Sequence, residues 1–181
     1  MIPLQIKNYN FNPDYKLILT NDASKVAVAS ALFQLNPNNG MLELLDTQTK
    51  LLSEAQRSYS PVQRENFALF FGLSKAETYI RNSNAETLVL SDASSIQFLM
   101  RTKQYNSRSY EQSLLLSSLP NVSLYYTSGK TLLISDALSR QYQNIFLRDE
   151  GSISSLQSTF IPPLANHRIP KMTKLSNEKL V

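Results

Sequence analysis

Four carboxylates stand where acids that merely solvate a surface are not expected. Asp22 follows the apolar run Lys16-Leu17-Ile18-Leu19-Thr20, and Asp92 follows Leu88-Val89-Leu90-Ser91. Glu65 lies one turn inside a segment whose Ser60, Pro61 and Gln63 mark a capped helix start. Asp136 sits among Leu132, Leu133, Ile134, Ala137 and Leu138, an apolar stripe in which an acid is costly without a partner. Acids at strand ends occupy the edge of an α/β sheet where ligands bind. Converging carboxylates repel one another unless a cation holds them, and hard oxygen donors select Mg²⁺ or Mn²⁺. The chain has no cysteine and one histidine, His167, which excludes thiolate sites, a His-based zinc site and a Ser-His-Asp triad. Taken singly, each acid also has an ordinary use. Asp92 can cap a helix starting at Ala93, Asp22 can shape a turn at Ala23-Ser24, and Glu65 suits the first turn of a helix.

The elements that must position these acids follow from the periodicity. Strands are expected over residues 16–20, 26–35 and 41–45, the last continuing through Thr47-Gln48-Thr49, with a turn at Asn36-Pro37-Asn38-Asn39-Gly40. Short connections join them into an antiparallel meander. The period then changes. Phe67, Phe70, Phe71, Ala76 and Ile80 recur at helical spacing from the Ser60 cap to about Arg81. Thr87-Leu88-Val89-Leu90 reads as a strand buried on both faces, hence central and parallel to a neighbour. Helices are expected from Ala93 to Met100 and from Arg108 to Leu119, a strand over Val122–Tyr126, and a last helix ending at Arg140. The order predicts an α/β fold, a five-stranded mixed sheet flanked by helices.

Residues 1–14 read as an irregular lead-in, 15–141 as the folded domain, and 142–181 as a linker or flexible tail. The 181 residues carry a net charge of +4 and a pI near 9.3, compatible with a polyanionic partner, although Lys and Arg are scattered. No run of apolar residues is long enough to span a bilayer and no signal-peptide core opens the chain, so no membrane partner and a soluble, intracellular protein are expected.

With these acids in this order, the chain resembles the ribonuclease H domain of LTR-retrotransposon reverse transcriptase polyproteins, the gypsy-type group in particular. Leu19-Thr20-Asn21-Asp22-Ala23-Ser24 resembles the family's "TDAS" strand, and Ala31-Leu32-Phe33-Gln34 its "GAVLSQ" strand, with Ser30 where glycine is usual. The run Lys50–Ser60 resembles "RKLSEAERNYS", and Gln63-Arg64-Glu65 with Phe67-Ala68-Leu69 resembles the "ERELLA" helix. Tyr79-Ile80 sits where "RHYL" ends. Ser91-Asp92 stands for "TDH", with Ala93 replacing the histidine. Tyr125–Lys130 resembles "YRPGK", and Ser135–Arg140 resembles "ADALSR". The match runs from Lys16 to Arg140 with every motif in the family's order. The tryptophan usual near Arg108-Ser109-Tyr110-Glu111 is absent, and no histidine lies between Asp92 and Asp136.

The resemblance implies a ribonuclease H-like fold, with three antiparallel strands followed by two parallel ones. It implies hydrolysis of the RNA strand of RNA–DNA hybrids by two Mg²⁺ ions, for which Mn²⁺ can substitute. Asp22, Glu65, Asp92 and Asp136 would be both catalytic and metal-ligating, Asp22 bridging the two ions. Ala23, Ser24, Gln63 and Asn66 neighbour the acids and are candidates for reading 2′-hydroxyls. Lys25, Arg64, Lys130 and Arg140 are candidates for meeting phosphates. The implied partners are the hybrid duplex and a polymerase domain in the same polyprotein. The implied setting is cytoplasmic, in a virus-like particle, from which nuclear entry can follow. A catalytically silent module of the same fold, holding nucleic acid or partner domains, is the rival reading. Four retained acids argue against it. An integrase or transposase core would show three acids ending in a glutamate, and a plain nucleic-acid-binding module has only the basic pI in its favour.

Overall fold

The computed structural model describes residues 6–91, 114–126 and 173–174. The first apolar run forms strand β1 (Leu17–Ala23), and the second forms β2 (Ala27–Leu35), paired antiparallel so that Leu17 faces Gln34 and Ala23 faces Val28. The expected turn at residues 36–40 is present. Gly40 adopts φ 68°, a left-handed conformation that glycine tolerates without strain, and its N–H donates to Asn36 O at 2.9 Å. Strand β3 (Leu42–Leu51) returns antiparallel to β2. Its register shifts between Leu32, which faces Asp46, and Phe33, which faces Leu44. Leu45 is the extra residue of this bulge, which is how two consecutive leucines, Leu44 and Leu45, are both buried.

Two helices follow. Helix α1 (Glu54–Arg57) is a single turn opened by a capping box of Ser53 and Gln56 that the periodicity did not signal. Helix α2 (Pro61–Asn82) starts as expected, with Ser60 as N-cap, Pro61 in its first turn and Gln63 completing the box. Its buried stripe is Ala68, Leu69, Gly72, Leu73, Ala76 and Ile80. Strand β4 (Thr87–Ser91) is buried at all five positions, as the apolar run requires, and lies parallel to β1. Strand β5 (Val122–Tyr126) is parallel to β4. The sheet order is β3-β2-β1-β4-β5, closed by a two-residue strand β6 (Thr173–Lys174) antiparallel to β5.

The mixed five-stranded sheet is therefore as expected, three antiparallel strands and then two parallel ones. The sixth strand comes from the segment read as a tail. Residues 114–118 are helical, in line with the end of the expected second helix. The helices expected over 93–100 and 131–140, and the first half of that over 108–119, lie outside the described residues.

Two apolar layers clamp the sheet. Leu17, Leu19, Val89 and Leu124 pack with Leu69, Leu73, Ala76 and Ile80 of α2. Ile18, Ala31, Phe33, Leu44, Leu88 and Leu90 form a second cluster from alternate strand positions. Each of these buried Leu and Ile side chains contributes about 1.5–3 kcal/mol through removal from water. One contact fixes how closely α2 approaches β1. A Cβ built on Gly72 would lie 1.8 Å from Asn21 Oδ1 and 3.0 Å from Ser30 Cβ, so only glycine fits there. Among the described residues, no helix is long and apolar enough to cross a membrane.

Candidate functional site

The strand carrying Asp22 runs further than expected. The apolar run ends the expected strand at Thr20, but pairing continues through Asn21↔Ser30, Asp22↔Ala29 and Ala23↔Val28. Tertiary pairing with β2 overrides the turn propensity of Asn21-Asp22. The turn comes two residues later, at Ser24. Its hydroxyl accepts from Val26 N at 3.2 Å and Ala27 N at 3.0 Å, and donates to Ala27 O at 3.1 Å. Asp22 is thus held by a ladder on a stiff strand, half-buried and one residue from its end.

Alternation decides its side. Leu17 and Leu19 pack under α2, Asn21 abuts Gly72, and Ala23 packs with Val28, Leu52, Ala68 and Phe67. Asp22, like Ile18 and Thr20, therefore projects from the opposite face. Helix α2 runs antiparallel to β1. Its early residue Ala68 lies by Ala23 and Val28, Gly72 over Asn21, and Ile80 in the cluster with Leu17. Glu65, also half-buried, is three residues before Ala68 and four before Leu69, so it extends the sheet-facing stripe by one turn. Glu65 and Asp22 come to the same end of the sheet, one from each side. Both make interactions within the fold.

Strand β4 ends at the same edge of the sheet as β1. Thr20 of β1 faces Leu90 of β4, and Ser91 closes β4 with Asp92 next in the chain. Asp92 and Asp136 themselves lie outside the described residues, as do Lys130 and Arg140. Among the described residues, no three His, Asp or Glu side chains form a group able to hold a metal ion. The donor chemistry of the two acids that are described suits a hard divalent cation: both are carboxylates, both are half-buried, and both occupy one end of the sheet.

The smaller candidates divide. Ser24 is 6% exposed, with its hydroxyl engaged in the turn. Gln63 is exposed, and its Oε1 accepts from Ser60 N at 2.9 Å in the capping box. Ala23 and Asn66 are half-buried, and Asn66 has a partner in the fold. Lys25 is exposed in the β1–β2 turn. Arg64 spends its guanidinium on main-chain carbonyls, Nη1 donating to Tyr59 O at 2.7 Å and Arg57 O at 3.4 Å.

Two features of this end were not read from the sequence. Arg57 Nε donates to Leu52 O at 3.1 Å, tying α1 to the end of β3. The Ser53–Gln56 spacing was a usable signal for α1, being the same Ser-x-x-Gln box that opens α2. Lys50 Nζ lies 5.4 Å from the centroid of the Phe67 ring, two residues beyond Glu65. That pair depends on a contact between β3 and α2 that spacing does not reveal.

The family model described as the RNase H-like domain found in reverse transcriptase matches residues 12–119. The retrovirus-related Pol polyprotein of the transposon gypsy, from Drosophila melanogaster, is 25% identical over 142 residues, which is 77% of this chain and 13% of that polyprotein. The chain therefore spans a small part of the length of this relative. Among solved structures, the foamy viral protease-reverse transcriptase in complex with dsDNA superposes with a TM-score of 0.53 at 16% identity, covering 68% of this chain and 25% of that one. LC11-RNase H1, in complex with an RNA/DNA hybrid, gives 0.53 at 12% identity over 73% of this chain and 98% of its own. The solution structure of the PFV RNase H domain gives 0.51 at 12% identity over 73% and 95%. At such identities the likeness is one of fold.

Proposed function

Because the chain belongs to the family of RNase H-like domains found in reverse transcriptase, we propose that it hydrolyses the RNA strand of RNA–DNA hybrids at a carboxylate site made by Asp22, Glu65, Asp92 and Asp136. The observation that carries this reading is the placement of Asp22 and Glu65. A laddered strand and a doubly capped helix, otherwise devoted to the core, each bring one half-buried acid to the same end of the sheet. That is the end where strands of an α/β sheet present ligand-binding residues. Asp92 follows the last residue of β4, the parallel neighbour of β1, and Asp136 stands in the segment that resembles the family's final acid motif.

These carboxylates would hold two Mg²⁺ ions, with Mn²⁺ able to replace them. Bound there, the ions supply charge that polarises the scissile phosphate and lowers the pKa of the attacking water. The chain's own residues do the rest. Asp22 is fixed by pairing on β1, so its carboxylate needs little reorganisation on loading. Glu65 lies just past the first turn of α2, in which the capping box satisfies the N–H groups of Ser60 and Gln63. Ala23, Ser24, Gln63 and Asn66 are the groups proposed to meet the RNA minor groove, where 2′-hydroxyls distinguish the strand. Ser24 and Gln63 contribute there only what their turn and capping bonds leave. A polymerase domain in the same polyprotein is the proposed partner, in keeping with the small share of the gypsy relative that the chain spans.

The test is cleavage of a labelled hybrid duplex in Mg²⁺ by the full chain and by Asp22→Asn, each with and without EDTA. The expected result is cleavage by the wild type only, abolished by EDTA, with melting temperatures that agree. Cleavage retained in Asp22→Asn overturns the assigned centre. Binding of the hybrid without cleavage by the wild type supports the silent module instead.

A further inference from the structure

The two described acids sit on different elements, so something must set the distance between them. Starting from Asp22, the chain passes Ala23 and enters the turn that the Ser24 hydroxyl closes on Val26 N and Ala27 N. Val26 O accepts from Leu52 N at 2.8 Å, which fastens the end of β3 to that turn. Leu52 O accepts from Arg57 Nε at 3.1 Å. Arg57 O and Tyr59 O accept from Arg64 Nη1 at 3.4 and 2.7 Å. The next residue is Glu65. The path from one acid to the other therefore alternates short stretches of chain with hydrogen bonds. Its last two links, from the residue after β3 to α1 and from the connection around Arg57–Tyr59 to α2, are made by guanidinium groups.

We propose that Arg57 and Arg64 are positioning residues that hold Glu65 at its working separation from Asp22, and so tune the affinity of the carboxylate site for divalent cations. The inference rests on the carboxylate-site reading above. Three physical points support it. Arginine presents a planar set of donors that fixes direction as well as distance, and a charged donor strengthens the bond to a carbonyl. The carbonyls chosen belong to the short connection between β3 and α2, the part of this end with the least core of its own; α1 has no buried residue. Below that connection, Val28, Leu52 and Ala68 form a small apolar cluster with Ala23, Phe67 and Phe71 against it, a rigid floor on which the arginines can set the height of Glu65. Metal sites tolerate displacements of only about 0.5 Å, and losing a residue that orients a ligand lowers metal affinity roughly ten- to a hundred-fold.

Arg81 supplies the control. It is also a helix arginine bonded to a carbonyl, Nη1 donating to Ser118 O at 3.0 Å, but at the opposite end of α2. The experiment is a Mn²⁺ titration of the full chain followed by the electron paramagnetic resonance of free Mn²⁺, alongside melting temperatures. It covers the wild type, Asp22→Asn, Arg57→Gln, Arg64→Gln, Arg64→Lys and Arg81→Gln. Expected are a roughly ten-fold weakening of Mn²⁺ binding in Arg57→Gln and Arg64→Gln, an intermediate value for Arg64→Lys, and wild-type affinity in Arg81→Gln at a similar melting temperature. Wild-type affinity in both glutamine variants overturns the proposal while leaving the carboxylate site standing, as does equal weakening in Arg81→Gln. Should Arg64→Gln not fold, the Arg64→Lys and Arg57→Gln affinities decide in the same way. A wild type that binds no Mn²⁺, or an Asp22→Asn variant that binds it equally well, overturns the carboxylate-site reading and this proposal with it.

Discussion

The two ends of the sheet use the same residue types for different purposes. At the far end, where β1, β4 and β5 begin, opposite charges meet each other. Lys16 Nζ is 2.9 Å from Glu86 Oε2, Glu86 Oε1 accepts from Ser123 Oγ at 2.9 Å, and Arg81 is paired with Glu77 at 2.8 Å. Tyr9 meets Tyr79 edge-on at 5.8 Å, closing the lead-in over the end of α2. At the near end, Arg64 sits beside Glu65 in sequence but bonds to main-chain carbonyls. The far end spends its charges on holding itself together. The near end directs Arg57 and Arg64 to backbone carbonyls and carries the two acids proposed to hold a cation. On the proposed function, stability and activity separate along the length of α2, and variants at the two ends should separate likewise.

The largest effect expected is on cleavage. Asp22→Asn and Glu65→Gln should each reduce hybrid cleavage to that of an EDTA-treated control, with melting temperature unchanged or raised, since clustered carboxylates repel. A melting temperature that falls as far as in a core variant would erase the distinction between the ends. Next comes the far end. Ile80 is 1% exposed, and Ile80→Ala should cost about 3 kcal/mol of stability in denaturant titrations. Its Mn²⁺ affinity, measured where the variant is folded, should remain that of the wild type.

Midway between the ends, Gly72→Ala should cost about 2 kcal/mol, because its methyl group collides with the Asn21 amide. Pairing it with Asn21→Ala should recover most of that loss in a double-mutant cycle. Asn21 offers a smaller effect of opposite sign. It is 2% exposed, and neither its Oδ1 nor its Nδ2 has a hydrogen-bond partner. Asn21→Val should therefore raise stability by about 1 kcal/mol, as an unsatisfied buried amide gives way to a strand-forming apolar group. No gain in denaturant midpoint would mean that the amide is satisfied in solution, by a buried water for instance.

The smallest effect is at Lys16. Its hydrogen bond to Glu86, and then the charge of Glu86, raise its pKa above the ordinary lysine value. The folded form thus binds the proton more tightly than the unfolded chain. The stabilisation is fully present at neutral pH and is lost as pH climbs through the raised value. The ammonium is largely exposed, so the gain is within about 1 kcal/mol. Melting temperatures of wild type and Lys16→Met should converge with rising alkalinity, and a gap that widens would contradict the assignment.

Much of the scaffold could be read from residues alone. Apolar runs of strand length, the Asn36–Gly40 turn and the Ser60 capping box announce themselves, because turn and cap chemistry is local. The burial of β4 on both faces was legible in its unbroken apolar run. The end of β1 was not. Asn21-Asp22 favours a turn on its own, and only pairing with Ser30 and Ala29 draws it into the ladder. Nor was the bulge at Leu45, which a pattern of alternation cannot accommodate. For the site, the order of motifs in the family resemblance singled out the four acids, of which Asp22 and Glu65 are described, and the lack of cysteine and histidine partners pointed to a hard cation as the one to propose.

What the sequence determined by itself is therefore the five main strands, helix α2 and the kind of chemistry available, since these follow from local preferences and from which side chains exist. What only the tertiary structure decided is on which side of the sheet Asp22 and Glu65 stand and what holds their elements there. Strand parity puts Asp22 opposite α2, the glycine contact at Gly72 sets the height of that helix over β1, and arginine bonds to Leu52 O and Tyr59 O tie the helix start to the sheet. The Gly72–Asn21 contact joins segments distant in sequence and forms only when the chain packs; the two arginine bonds each span five residues, yet depend on the path the chain takes between β3 and α2.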